Sequence, residues 1–320
     1  MIQSVLSRLT GRPSSARVER EDALRHLQLM LAGGHDPTVQ SVAGALGVAP
    51  DRAAAVLADL ERRECVVFQA GRVTLTPTGQ AYATHIIRAH RLWEQHLAQS
   101  SGVPPEQWHA HADRAEHRLS PDDVAALTER LGNPTHDPHG DPIPPPHGAV
   151  VPHHGMPLDE LPVDQTARVT HVEDEPAMVF AELVMLGLYP GAIVRVVERG
   201  PHALGLWVDG EHVTLTPLMV HNVSVAPLAA PPAPAPVRLS ALPIGRSATV
   251  AGLSPACRGT ERRRLLDLGF VPGTVITAEM VSPSGDPTAY AVRGALIALR
   301  RTQARHVLIQ PAPPEAEATS

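Results

Sequence analysis

The chain of 320 residues contains no lysine, so all 27 of its fixed basic charges are arginine. Against 33 Asp and Glu they leave a net charge of -6, which excludes a global basic field drawing the protein to nucleic acid. Aromatics make up only 3% of the residues, too few for platforms that stack the bases of a single strand. The two cysteines, Cys65 and Cys257, stand far apart with no pair or knuckle spacing, which excludes a disulfide framework and fits a reduced, cytoplasmic protein. No stretch approaches the roughly 20 apolar residues of a membrane span. Met1 to Leu9 also lack the apolar run of a signal peptide, so membrane insertion is not expected.

What the chain has in quantity is histidine, 18 residues of it. A single histidine is usually solvated or packed, but the segment from Trp108 to His117 concentrates ligand-type residues. On a helix, His109, Asp113 and His117 recur every fourth residue and Glu116 lies one residue off that row. Upstream, His90 and Glu94 form another pair at that spacing. Imidazole and carboxylate without thiol suit manganese, ferrous iron or zinc. A metalloenzyme would need a separate nucleophile, an activated acid or a phosphate-cradling loop, and none is visible, so no enzyme is expected.

In chain order, Leu24, Leu27 and Leu31 mark a first helix over 19–32, ended by Gly33-Gly34. Thr38 to Leu46 and Asp51 to Arg63, joined by Gly47-Val48-Ala49-Pro50, have the spacing of a helix-turn-helix. Two β-rich runs around Ala70-Gly71 complete a winged helix. Its reading helix offers Arg52 among alanines, and Arg52, Arg62, Arg63 and the wing residue Arg72 are the candidate DNA contacts, together with the amino-terminal arm. A long helix from Pro77 to about Ser101 carries His90 and Glu94; Ser120-Pro121-Asp122-Asp123 caps a later one. Residues 132–157 are rich in Pro and His and read as stiff and extended rather than folded.

These residues resemble a known family. His90-Arg91-Leu92-Trp93-Glu94, Asp113-Arg114-Ala115-Glu116-His117-Arg118-Leu119-Ser120 and the run from Gly132 to Pro144 are similar to the metal-dependent repressors of the diphtheria toxin repressor type. The resemblance extends from about Arg17 through Pro144. It implies a primary metal site at Asp22, Asp113, Glu116 and His117 and an ancillary site at His90, Glu94 and His109. Asp22 has the residue type of manganese-responsive members and His109 that of iron-responsive ones, so iron(II) and manganese(II) both stay open. Relatives contact DNA at positions that fall here on Ala49, Asp51, Arg52 and Ala55, mostly non-contacting types.

Farther on, Leu186-Gly187-Leu188-Tyr189-Pro190-Gly191 recurs as Leu268-Gly269-Phe270-Val271-Pro272-Gly273, each followed by alternating apolar residues. Both units resemble the FeoA-like domain, a small Src-homology-3-like barrel. Residues 158–227 hold three Arg against ten acids and residues 237–311 ten Arg against four, so the repeats have opposite charge and suit docking on each other or separate partners.

The expected architecture is α+β. It comprises a winged helix (17–80), a helical metal-binding and dimerisation domain (81–143), a linker (144–157), two barrels (158–227 and 237–311) and a disordered tail (312–320). The expected function is a homodimeric, metal-dependent repressor of metal-uptake genes on a double-stranded operator. The alternative is a metal-sensing interaction protein with a protein partner on its FeoA-like domains.

Overall fold

The computed structural model describes residues 13–69, 72–209, 211–229 and 236–311. The amino-terminal arm, the wing turn Ala70-Gly71, most of the Pro-Ala linker and the tail from 312 therefore lie outside the described residues. Residue contacts divide the chain into two units, one running to Leu97 and resuming over Gln107–His153, the other made of Ala98–Glu106 and the chain from His154 on.

The first unit begins with α1 (Ser15–Ala32), α2 (Val39–Leu46) and α3 (Pro50–Arg62). Thr38 starts α2 by accepting from the Ser41 amide while Ser41 returns the bond, and Gly47 ends it at a left-handed φ of 62°. Pro50 then opens α3, and the helices cross at 105°. Val42, Ala43, Ala53, Val56, Leu57 and Leu60 turn inward onto Leu24 and Leu27 of α1. This leaves Asp51, Arg52, Ala54 and Ala55 exposed on the reading helix. The wing is the antiparallel pair β1 (Val66–Gln69) and β2 (Arg72–Leu75). Gly79 opens the next helix so close to β1 that an added Cβ would sit 1.8 Å from the Cys65 carbonyl oxygen.

That helix, α4 (Pro77–Ser100), precedes α5 (Trp108–Glu116) and α6 (Pro121–Arg130), the last capped by Ser120 through the Asp123 amide. The segment after α6 corrects the expectation of an extended stretch. Asp137 accepts bonds of 2.9 Å from the amides of His139, Gly140 and Asp141, folding the loop on itself. Arg91 donates to the Pro142 carbonyl and Arg88 to that of Pro144, each at 2.6 Å, so two arginines of α4 hold the loop and bury His139 and Ile143.

In the second unit the repeat is visible element by element. The first copy comprises β3 (Met156–Pro157), β4 (Thr166–Val172), α7 (Ala177–Met185), β5 (Ile193–Arg199), β6 (Leu204–Val208), β7 (Glu211–Leu215), α8 (Pro217–His221) and β8 (Val223–Pro227). The second comprises β9 (Val237–Arg238), β10 (Ser247–Leu253), α9 (Gly259–Asp267), β11 (Val275–Val281), β12 (Thr288–Val292), β13 (Ala295–Leu299), α10 (Arg301–Ala304) and β14 (Val307–Pro311). Strand order is β3-β8-β4-β5-β6-β7 in one and β9-β14-β10-β11-β12-β13 in the other, the same order twice. Bulges recur at matching places, between Val169 and His171 and between Val250 and Gly252, and bend each sheet around its own apolar core. The expected barrels are thus open six-stranded sheets, because among the described residues no pairing joins the outer strands.

The opposite charges of the repeats meet directly. Arg238 of β9 is buried with Nη2 3.6 Å from Asp209 and Nη1 3.8 Å from Glu211, and Arg305 donates to Glu211 at 2.6 Å. Tyr189 donates to Asp209 at 2.7 Å. Gly187, at φ +86°, makes room: a Cβ there would lie 1.8 Å from Arg238 Nη2. Removing one partner of a buried pair leaves the other charge uncompensated. Arg238→Met is therefore expected to cost about 3 kcal/mol, read as faster hydrogen exchange across β6, β7 and β9 with the winged helix unchanged. Exchange rates equal to those of the unaltered chain would contradict it.

Candidate metal centre

Three helices of the first unit bring the ligand-type residues together. The inward face of α1 carries Leu24 and Leu27 but also Glu21, which is fully buried. Asp22 is its neighbour. From α5 comes Glu116, fully buried, with His117 just beyond its end.

In the first cluster, His117 Nε2 lies 3.2 Å from Asp22 Oδ1 and 3.7 Å from Glu116 Oε1. Its other ring nitrogen is 2.7 Å from Glu21 Oε2. Glu21 is itself fixed, its second carboxylate oxygen accepting from Arg17 at 2.7 Å and from the Tyr82 hydroxyl. Glu21 thus sets the orientation of the imidazole and aims Nε2 at Asp22 and Glu116, as the carboxylate behind a metal-binding histidine does. Burial disfavours the charge on His117, but the carboxylates of Asp22 and Glu21 more than offset it and raise its pKa to about 9.

The second cluster lies on the other side of Glu116. His90 Nε2 is 3.1 Å from Glu94 Oε1, and His109 approaches Glu94 at 3.6 Å and Asp113 at 3.5 Å. His139, from the folded loop, brings Nε2 within 3.6 Å of the same Glu94 oxygen. Burial works against a charge on His90, yet Glu94 and Glu116 hold its pKa up at about 10.

Among the described residues of the first unit, two groups of three fit one cation each by geometry: Asp22, Glu116 and His117, and His90, His109 and Asp113, the potential ligand atoms of each lying within 4.8 Å of one another. Glu116 Oε1 supplies the test of fit, being a buried oxygen that makes no hydrogen bond among the described residues and faces an imidazole nitrogen. Oxygen and nitrogen donors without sulfur suit manganese(II) and iron(II). The grouping differs from the expected one in two members, since Glu94 is not in the second group and Asp113 changes place. Asp113 stands with His90 and His109 rather than with Asp22, because Arg25 of α1 takes Asp113 Oδ1 at 2.7 Å and its other oxygen faces His109. Arg25 Nη1 also reaches Glu116 Oε2 at 3.0 Å and His90 Nδ1 at 2.9 Å.

Three participants were not among the expected residues. Glu21 had a legible signal, an acid on an apolar helical row. Arg25 follows Asp22 by three residues and so shares its face, but charge alone did not mark it. His139 sat in a loop read as extended.

The candidate DNA contacts are all exposed and all paired. Arg52 meets Glu19 at 2.6 Å, Arg62 and Arg63 meet Asp59 at 2.8 and 3.0 Å, and Arg72 meets Asp36 at 3.1 Å. Exposed pairs of this kind contribute little, so phosphates can replace the carboxylates at small cost.

Residues 76–145 match the model of the iron dependent repressor, metal binding and dimerisation domain, and residues 156–227 and 237–311 each match the FeoA domain. The iron-dependent repressor IdeR of Mycobacterium leprae is 34% identical over 165 residues, 47% of this chain and 71% of that protein. The diphtheria toxin repressor of Corynebacterium diphtheriae is 27% identical over 187 residues, 54% of this chain and 80% of the relative. The solved structure of a manganese-dependent transcriptional repressor in complex with manganese superposes with a TM-score of 0.58 at 25% identity, covering 64% of this chain and all of that one. Winged helix, ligand-bearing helices and FeoA domain in this order define a metal-responsive transcriptional regulator. The chain belongs to the iron-dependent repressor family, that of the diphtheria toxin repressor.

Without added metal, the two raised histidines make stability depend on pH. Their ion pairs contribute fully below the ordinary value of 6.5 and are lost as pH rises through about 9 for His117 and about 10 for His90. Glu21 and Asp113 have the opposite sign: burial opposes their charge, the cations around them hold both below the ordinary carboxylate range, and their contribution is lost only in acid. Melting in chelator is expected to show a midpoint that falls between about pH 8 and 10, and a flat profile there would contradict the pairing.

Proposed function

We propose that this chain is a repressor of metal-uptake genes that binds its operator as a homodimer when iron(II) or manganese(II) is bound. Asp22, Glu116 and His117 hold one ion, and His90, His109 and Asp113, with Glu94 beside them, hold a second. The observation that carries the reading is the origin of the first set. Asp22 belongs to α1, which packs beneath the helix-turn-helix, whereas Glu116 and His117 belong to α5 and its end.

A bound divalent cation supplies the positive charge that draws these donors together. Asp22 and Glu116 provide the oxygens, Glu21 keeps the His117 imidazole aimed, and together they tie α1 to α5. That tie selects the form in which two winged helices meet half-sites about one helical turn apart. A ligand that binds only this form favours it by about 4 kcal/mol at a thousandfold excess over its dissociation constant.

The reading helix supports a particular style of binding. Its exposed residues offer methyl groups and a single arginine to base edges, so phosphate contacts by Arg52, Arg62, Arg63 and Arg72 contribute most of the affinity. Binding is then steeply weakened by salt and only modestly selective for base sequence.

The test is a selection of genomic fragments under anaerobic conditions with manganese(II), with iron(II) and with chelator. A palindromic site is expected to be enriched only with metal, and His117→Ala is expected to lose the enrichment. Equal enrichment with and without metal would refute the proposal.

A further inference from the structure

Arg25 stands at the junction of the two clusters. One guanidinium nitrogen lies 2.7 Å from Asp113 Oδ1, 3.0 Å from Glu116 Oε2 and 2.9 Å from His90 Nδ1. Each carboxylate is shared in the same way. Glu116 turns Oε2 to Arg25 and Oε1 toward His117; Asp113 turns Oδ1 to Arg25 and Oδ2 toward His109. The guanidinium thus touches one acid from each candidate ion position.

We infer that Arg25 is an internal counter-ion that stands in for the missing charge in the metal-free chain, competes with divalent metal for Glu116 and Asp113, and so sets the concentration at which the protein loads. The inference rests on reading Asp22, Glu116 and His117 as ion ligands. Asp113 is 39% exposed along its side chain, but Glu116 is fully buried and needs a nearby cation whether or not metal is present. Arg25 provides it permanently. The same fixed charge repels an arriving divalent cation, and the acids it holds must be shared before that cation is fully bound. The remaining donors keep their places without Arg25, since Glu21 fixes His117 and Glu94 fixes His90. Removing the charge therefore strengthens metal binding while weakening the metal-free fold. A pillar that merely supported the fold would weaken both states alike.

The experiment measures manganese(II) affinity by competition with a fluorescent chelator, and melting with and without manganese(II), on the full chain. It compares the unaltered protein with R25Q, R25K and H117A. R25Q is expected to bind manganese about tenfold more tightly, the effect of one unit charge removed at close range. It is also expected to melt lower than the unaltered chain in chelator and to recover most of that deficit with manganese. R25K, which keeps the charge without the fork, is expected to stay within about threefold of the unaltered affinity. Equal or weaker binding by R25Q, or a melting deficit undiminished by manganese, would overturn the role assigned to Arg25. Unchanged affinity in H117A would instead overturn the ligand assignment beneath it, whatever R25Q shows.

Discussion

Carboxylates gathered out of water must be neutralised, and the first unit is arranged around that requirement. Glu21, Glu94 and Glu116 are buried within three helices, with Asp22 and Asp113 at their margin. Such groups persist only with cations at hand. Here the compensation comes from Arg17 within α1 and from Arg25, His90 and His117, whose pairs link different helices or their ends. The contact of α1 with α5 and its end is therefore made by charged side chains.

The same arrangement explains why the DNA-reading elements are linked to the centre. Leu24 and Leu27 of α1 lie in the core shared by α2, α3 and the wing, while Glu21, Asp22 and Arg25 of the same helix face the clusters. One rigid helix thus carries both the floor of the winged helix and part of the ligand set. The charged cluster and the reading helix therefore share one structural support.

Much of this was legible in the residues. Thr38 and Gly47 marked the ends of α2, Ser120 the start of α6, and the recurring Leu-Gly and Pro-Gly pairs marked the repeat, because caps and turns are local chemistry. The row on α5 was equally plain, since helical spacing determines which side chains share a face. What escaped was decided by tertiary contact. Asp113 changed cluster because Arg25 arrives from a helix 88 residues away. The loop after α6 read as extended, since its prolines speak for stiffness and nothing local announces that Asp137 will collect three amides. Opposite charge on the two FeoA domains suggested docking, but only packing revealed Arg238 lying over Gly187.

The central claim is that two sets of residues each hold a divalent ion, and anomalous diffraction from crystals grown with manganese(II) tests it most directly. Two peaks per chain are expected, one among Asp22, Glu116 and His117 and one among His90, His109 and Asp113, with the Arg25 guanidinium between them. Absence of both peaks, or manganese found only at other residues, would contradict the account.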